Sequence, residues 1–68
     1  MKKTITIEGM MCMHCTGRVD KALNAVDGIS ATVSLEDKKA YVTLDKEISD
    51  DELKAIVEKE GYTVVAID

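Results

Sequence analysis

The sequence contains no proline, tryptophan or phenylalanine, and its two tyrosines are its whole aromatic content. A core built without these large rings must be aliphatic, and a surface with so few aromatics offers little on which nucleic-acid bases could stack. The chain also lacks a basic cluster, and its net charge at pH 7 is -4. Nucleic acid is therefore not an expected partner, because binding to phosphates requires concentrated positive charge.

Long hydrophobic runs are also missing. No apolar stretch approaches the roughly 18 residues of a membrane-spanning helix. The start, Met1-Lys2-Lys3, leads directly into Thr4–Glu8, which lacks the apolar centre of a secretory signal peptide. We therefore expect a cytoplasmic chain that does not insert into a membrane. In that compartment thiols stay reduced, so paired cysteines are more often metal ligands or catalytic groups than structural disulfides.

The chain is short, with 68 residues, of which 46% are hydrophobic and 32% charged. This composition is typical of a folded globular chain and not of a disordered one. A chain of this length buries only about 60% of the surface that it exposes when unfolded, which leaves room for one core and one site. We expect a single domain over residues 1–68. The length excludes most enzyme architectures, and an enzyme is not expected.

Apolar periodicity predicts the order strand, helix, strand, strand, helix, strand. Alternation with a period of two indicates the strands, and recurrence every three or four residues indicates the helices. The strands are expected at residues 4–8, 29–35, 40–44 and 62–67, and the helices at residues 14–26 and 50–60. Gly28 and Gly61 follow the two helices, and Ser49 with Glu52 forms a capping box before the second. Right-handed crossovers fold such a chain into an α+β, ferredoxin-like βαββαβ sandwich, with both helices on one face of a four-stranded antiparallel sheet.

Two cysteines, Cys12 and Cys15, lie where the first strand gives way to the first helix. A disulfide between them would close a very short loop and stabilise the fold little, so reactivity explains the pair better than cross-linking. Both sulfurs are expected beside free N–H groups and the positive end of the helix dipole, which favour the thiolate. Thiolates select soft ions such as Cu(I). A closed structural zinc site is not expected, because the chain has neither a second CxxC nor a histidine pair.

The run Gly9–Cys15 reads GMMCMHC and resembles the GMxCxxC signature of heavy-metal-associated domains. The likeness covers the whole chain through the order of elements and through the Gly61-Tyr62 pair before the last strand. A bare CxxC is a weak signal, but in this context the signal is strong. Within that family the chain is most similar to small bacterial copper chaperones, which carry Cu(I) on the two cysteines and pass it to a copper-exporting P-type ATPase.

This resemblance assigns parts to the residues of the loop. It implies that Cys12 and Cys15 are the metal ligands, and that Met10 turns inward to brace the loop and pack in the core. His14 is expected to be exposed and to point away from the metal, where it could tune the response of Cys15 to pH. Tyr62 matches a tyrosine that the bacterial chaperones place near the metal.

Met11 and Met13 are expected to face solvent and to contribute to a docking surface. Residues 1–35 carry four basic and three acidic groups, whereas residues 36–60 carry five basic and nine acidic groups. The acidity is therefore expected away from the cysteine loop, where Arg18 and Lys21 could attract an acidic partner.

The implied mechanism is ligand exchange, in which a partner thiolate attacks the bound Cu(I) and one original bond is released. The expected partner is a copper-transporting P-type ATPase or a copper-responsive regulator. Ag(I) and Hg(II) are alternatives to Cu(I), because both are soft ions that accept two thiolates. The metal-free chain is expected to be a monomer, and a metal-bridged dimer is an open alternative.

Other functions also fit a CxxC at a helix start. A small thiol–disulfide redox protein uses this arrangement, but the loop lacks the Trp and Pro of the thioredoxin motif. The chain could also be the metal-binding domain of a metal ATPase, or a mercury-binding relative. The Met1-Lys2-Lys3 start and the end after the fourth strand favour a free-standing chaperone. A purely structural interaction domain is least favoured, because such a domain has no need of an exposed reactive pair.

Overall fold

Six elements follow one another in the predicted order in the computed structural model, which describes residues 1–68. The strands are β1 (Lys2–Glu8), β2 (Ile29–Ser34), β3 (Lys39–Leu44) and β4 (Thr63–Ile67), and the helices are α1 (Met13–Asn24) and α2 (Asp50–Lys59). The strands form one antiparallel sheet in the order β2-β3-β1-β4. The prediction of a ferredoxin-like α+β fold is thereby confirmed.

The core lies between the sheet and the two helices, and it contains no aromatic ring among its fully buried members. Val19 and Leu23 of α1 belong to the same cluster as Leu53 and Val57 of α2, so both helices cover one face of the sheet. The 12 buried side chains are Ile5, Ile7, Met10, Val19, Leu23, Ile29, Ala40, Val42, Leu44, Ile48, Leu53 and Val57. Neither helix is long and apolar enough to cross a membrane.

The first helix begins and ends earlier than the sequence predicted. It begins at Met13 because the Cys12 carbonyl already accepts hydrogen bonds from the N–H groups of Cys15 and Thr16. It ends at Asn24, whose side-chain amide pairs with the backbone of Ala31 on β2. The Ala31 N–H donates to Asn24 Oδ1 at 2.8 Å, and Asn24 Nδ2 donates to the Ala31 carbonyl at 3.0 Å. This pairing also covers the middle of the free edge of β2.

The hairpin between β2 and β3 turns one residue earlier than predicted. The sequence placed Leu35 in the strand, but β2 ends at Ser34. The Ser34 hydroxyl accepts the N–H of Asp37 at 3.2 Å, a side-chain bond that starts the turn. Lys38 completes the turn with a left-handed φ of 56°.

Antiparallel pairing brings three connections to one end of the sheet. Glu8 at the end of β1 pairs with Thr63 at the start of β4, and Thr6 pairs with Lys39 at the start of β3. The loop after β1, the 35–38 turn and the loop before β4 therefore share this end, which we call the cysteine end. The start of β1, the connection 45–49 and the end of α1 lie at the opposite end.

Candidate metal centre

The loop after β1 is shaped by a left-handed glycine and an inward methionine. Gly9 has φ 99°, a conformation that side chains with a Cβ rarely adopt, and it reverses the chain directly beside the ring of Tyr62. Met10 is 1% exposed and belongs to the core, as predicted. The next residue, Met11, is 84% exposed, so the chain passes from the core to the surface within one residue. Met10 thus anchors the loop to the core, while the residues that follow face solvent.

Cys12 and Cys15 come together at the start of α1. Cys12 is the N-cap residue, Cys15 lies in the first turn, and their Sγ atoms are 3.6 Å apart. Both are free thiols, with Cys12 exposed and Cys15 half-buried. At the metal–sulfur distance of about 2.3 Å that thiolates make, two sulfurs on opposite sides of an ion are about 4.6 Å apart. One side chain needs to move by about 1 Å to admit a soft ion between them.

The N-terminus of α1 has no acceptor side chain of its own. Cys12 makes no side-chain capping bond, and the first turn contains no acidic residue. At α2, by contrast, Ser49 accepts the N–H of Glu52 at 3.2 Å, and the first turn is acidic. The free N–H groups and the positive dipole end of α1 are therefore available to negative charge on the two cysteines.

The Cys15 thiol is more acidic than an ordinary cysteine thiol, which favours the binding of soft metals. Its pKa is lowered from 9.0 to about 7, chiefly by a hydrogen bond from the Tyr62 side chain and then by the backbone of Met11. The Cys12 side chain lowers the pKa further, and burial opposes these effects. Near neutral pH a large share of Cys15 is therefore thiolate, the form that binds metal.

Tyr62 reaches this thiol from the far end of the sequence. Its half-buried ring packs against the core, just after Gly61 and before β4. The bond to Cys15 raises the pKa of Tyr62, while a contact with Arg18 acts in the opposite direction. The resemblance predicted a place for Tyr62 near the loop. It did not predict the contact with Arg18, for which the only sequence signal was the three-residue spacing from Cys15 on one helix face.

Two further residues support the loop without having been predicted to do so. Thr16 is 8% exposed, and its Oγ1 donates to the Met13 carbonyl at 2.9 Å, which closes the first turn of α1. The backbone of Met11 contacts the Cys15 sulfur, as described above. A contact made by the backbone cannot be inferred from residue type, and no sequence pattern distinguishes a buried Thr in a helix from an exposed one.

The other loop residues are exposed, as predicted. Met13 is 79% exposed, and His14 is exposed beside it. No three His, Cys, Asp or Glu side chains come together anywhere in the chain to form a metal site. The cysteine pair also lies outside all three surface cavities. The centre is thus a pair of sulfurs on an open surface, a geometry that suits an exchange of ligands with another protein.

Comparison with known sequences points to metal-handling proteins. The sequence profile described as heavy-metal-associated domain matches residues 4–63. The copper chaperone CopZ of Staphylococcus aureus is 38% identical over 66 residues, which cover 94% of this chain and 97% of that protein. A copper-exporting P-type ATPase of Staphylococcus saprophyticus is 40% identical over 65 residues, which cover 94% of this chain and only 8% of the ATPase.

Comparison with solved structures gives the same two kinds of relative. A CopZ metallochaperone superposes with a TM-score of 0.88 at 37% identity, over 96% of this chain and 100% of that one. The Cu(I)-loaded N-terminal domain of a potential copper-translocating P-type ATPase from Bacillus subtilis gives a TM-score of 0.84 at 37% identity. That match covers 93% of this chain and 81% of the other.

Proposed function

This chain belongs to the heavy-metal-associated domain family, and from that premise we propose that it is a copper chaperone. In this proposal Cys12 and Cys15 bind Cu(I) and deliver it by ligand exchange to a copper-transporting P-type ATPase. The observation that carries it is the pair of free sulfurs 3.6 Å apart at an uncapped helix N-terminus. Residues 1–68 act together as one domain, without enzymatic activity, in the cytoplasm, where thiols stay reduced.

The donor chemistry favours a soft monovalent ion. Two thiolates and Cu(I) carry a net charge of about -1, which the N-terminus of α1 can stabilise. Two sulfurs satisfy Cu(I) while leaving a position for a third, whereas Zn(II) prefers four ligands. Ag(I) and Hg(II) are chemically competent at the same pair. Copper is favoured over them because the relatives are named as copper chaperones and copper ATPases.

Transfer requires that the metal be reachable and that a ligand leave. Cys12 is exposed, so a partner thiolate can approach and form a bond to the ion while one bond to this chain breaks. No electron is exchanged, and the ion is never free in solution. When Cys15 is the group released, the Tyr62 hydroxyl remains beside it to stabilise the thiolate.

The proposal is tested by anaerobic competition between the protein and a chromogenic Cu(I) chelator. The wild type is expected to retain one Cu(I) per chain, and Cys12→Ser and Cys15→Ser are expected to lose it to the chelator. Thr63→Ser, an exposed change at the start of β4, serves as the folded control. Native mass spectrometry reports whether the loaded species is a monomer or a metal-bridged dimer. Preference for Zn(II), or retention of Cu(I) by both serine variants, would overturn the proposal.

A thiol–disulfide redox function is the second candidate, because the short distance between the sulfurs and the Cys15 pKa of about 7 also suit disulfide chemistry. A disulfide reductase assay on the reduced protein separates the two. Turnover without tight copper binding would favour redox function, and tight binding without turnover would favour the chaperone.

A further inference from the structure

The four methionines of this chain occupy three different settings. Met10 is in the core, and Met1 is 71% exposed at the end of the sheet opposite the cysteines. Met11 and Met13 are 84% and 79% exposed and flank Cys12. Methionine is usually buried, where its flexible side chain fills gaps in a core. Two highly exposed methionines on either side of a candidate metal ligand therefore contribute little to packing.

The backbone conformation of Cys12 favours the same side of the loop for these two side chains. Cys12 is extended, with φ -158° and ψ 171°. Successive side chains alternate in direction along extended backbone, so an extended Cys12 favours a common side of the loop for the side chains of Met11 and Met13. Residues two apart on such backbone are separated by about 6.6 Å, a span that two methionine side chains with three torsions each can bridge.

The chemistry of the pair is that of a soft-ion site. A thioether is a neutral sulfur ligand that selects Cu(I) and similar ions, and it binds without losing a proton. Both methionine side chains are highly exposed, so their sulfurs are accessible to an ion from solvent. We propose that Met11 and Met13 form an outer thioether site that takes a second soft monovalent ion, Cu(I) or Ag(I). This site is separate from the Cys12–Cys15 pair and binds more weakly, because thioethers carry no charge.

The test uses Ag(I), which is stable in air, and protein labelled with carbon-13 in the methionine methyl groups. In the double variant Cys12→Ser/Cys15→Ser, the Met11 and Met13 methyl resonances are expected to shift together and to saturate at one Ag(I) per chain. Met1 provides the matched control, because it is also exposed but lies before β1, at the end of the sheet opposite Met11 and Met13. A shift of all three exposed methyl groups, or of none, would overturn the proposal.

Single substitutions test whether the two thioethers act as a pair. In the same double-serine background, Met11→Leu is expected to abolish the saturable shift of the Met13 methyl, and Met13→Leu to abolish that of Met11. His14→Asn is expected to leave both shifts in place, since the imidazole is not part of the proposed donor set. Retention of the full shift in either leucine variant would show independent binding at single methionines and contradict the paired site.

Titration of the wild type keeps this proposal distinct from the proposed function. The first Ag(I) is expected on the cysteines, with little effect on the methionine methyl groups, and the second on Met11 and Met13. If the cysteines fail to hold the first ion while the methyl groups still shift, the chaperone proposal fails alone. If the cysteines hold the first ion and the second produces no saturable methyl shift, only the outer site fails.

Discussion

The reactivity of the cysteine loop depends on a residue that lies 47 positions further along the chain than Cys15, namely Tyr62. Gly9 allows the loop to run beside the tyrosine ring, and the start of β4 holds that ring against the core. The hydroxyl then acts on the Cys15 thiol. The tyrosine thus lowers the proton affinity of one of the two proposed ligands without being a proposed ligand itself.

Tyr62→Phe is therefore expected to raise the pKa of Cys15 from about 7 toward 9.0, because the largest stabilising contact of the thiolate is lost. The measurement is the rate of alkylation of Cys15 against pH, made in a Cys12→Ser background so that one thiol reacts. The midpoint should move to higher pH in the variant. Tyr41→Phe is the control, since that hydroxyl donates to Asp37 at 2.6 Å and does not contact the cysteines. An unchanged midpoint in Tyr62→Phe would contradict the assignment.

Met10 and Met11 are neighbours in sequence with opposite environments, and they give a second prediction at this scale. Met10→Ala should lower the free energy of unfolding by about 2–5 kcal/mol, because it removes a fully buried side chain and leaves a cavity. Met11→Ala should change it by less than about 0.5 kcal/mol, as expected for an exposed position. Urea denaturation of the metal-free proteins measures both values. Equal losses would show that Met10 is not packed in the core.

At the scale of helices and strands, the two helix N-termini have different roles. The Ser49 hydroxyl and the acidic residues of the first turn satisfy the N-terminus of α2. The structure confirms one of the two hydrogen bonds of the predicted capping box, the bond from the Glu52 N–H to the Ser49 hydroxyl. The N-terminus of α1 is left to the cysteines. One helix end therefore stabilises the fold, and the other is available for function.

Ser49→Ala should consequently destabilise the fold by about 1 kcal/mol, the usual effect of losing an N-cap acceptor. Ser49→Asp, which keeps an acceptor and adds favourable charge at the dipole, should retain the stability of the wild type. Thermal and urea unfolding of the metal-free proteins test both changes. If alanine and aspartate destabilise the fold equally, the hydroxyl is not acting as a cap.

Most of the fold could be predicted from the sequence because its signals are local. The alternation of Ile5 and Ile7 in β1, the spacing of Val19 and Leu23 in α1, and the glycines after both helices act within a few residues. The face of β4 could not be predicted. Its pairing with β1 shifts register between Thr6 and Ile7, and its exposure pattern departs from strict alternation, with Val65 and Ala66 both exposed. Such an irregularity depends on the neighbouring strand and not on the strand's own sequence.

The candidate site could be predicted from the sequence only in part. The cysteine pair and the inward Met10 followed from residue type, spacing and family resemblance, and the structure places them together. The link between Tyr62 and Arg18 depends on how the residues just before β4 reach α1, which no local pattern encodes. Contacts between distant segments are the part of the site that needed a structure.

At the scale of the whole molecule, the charge expectation is met only in part. The acidic residues of the 45–49 connection and of the first turn of α2 do lie at the end opposite the cysteines. Glu36 and Asp37, however, belong to the turn at the cysteine end, and Glu60 follows α2 at that same end. Antiparallel pairing brings these acidic groups back to the cysteine end despite their distance in sequence. Basic residues also lie at the cysteine end, because Lys38 belongs to the 35–38 turn and Lys59 ends α2. On α1, Arg18 follows Cys15 by three residues, and Lys21 lies in the last turn of the helix.

Arg18 and Lys21 lie on the helix that begins at the cysteines, so docking of a partner with an acidic surface should depend chiefly on α1. Arg18→Glu/Lys21→Glu should slow Cu(I) transfer to the N-terminal metal-binding domain of a copper-transporting ATPase by about tenfold or more and invert its salt dependence. Lys2→Glu/Lys54→Glu changes the net charge equally but lies away from the loop, so it should transfer at nearly the wild-type rate. Because Arg18 also contacts Tyr62, Lys21→Glu alone must show the same direction, with Cu(I) affinity unchanged. Equal rates in both double variants would mean that net charge, and not the α1 surface, governs transfer.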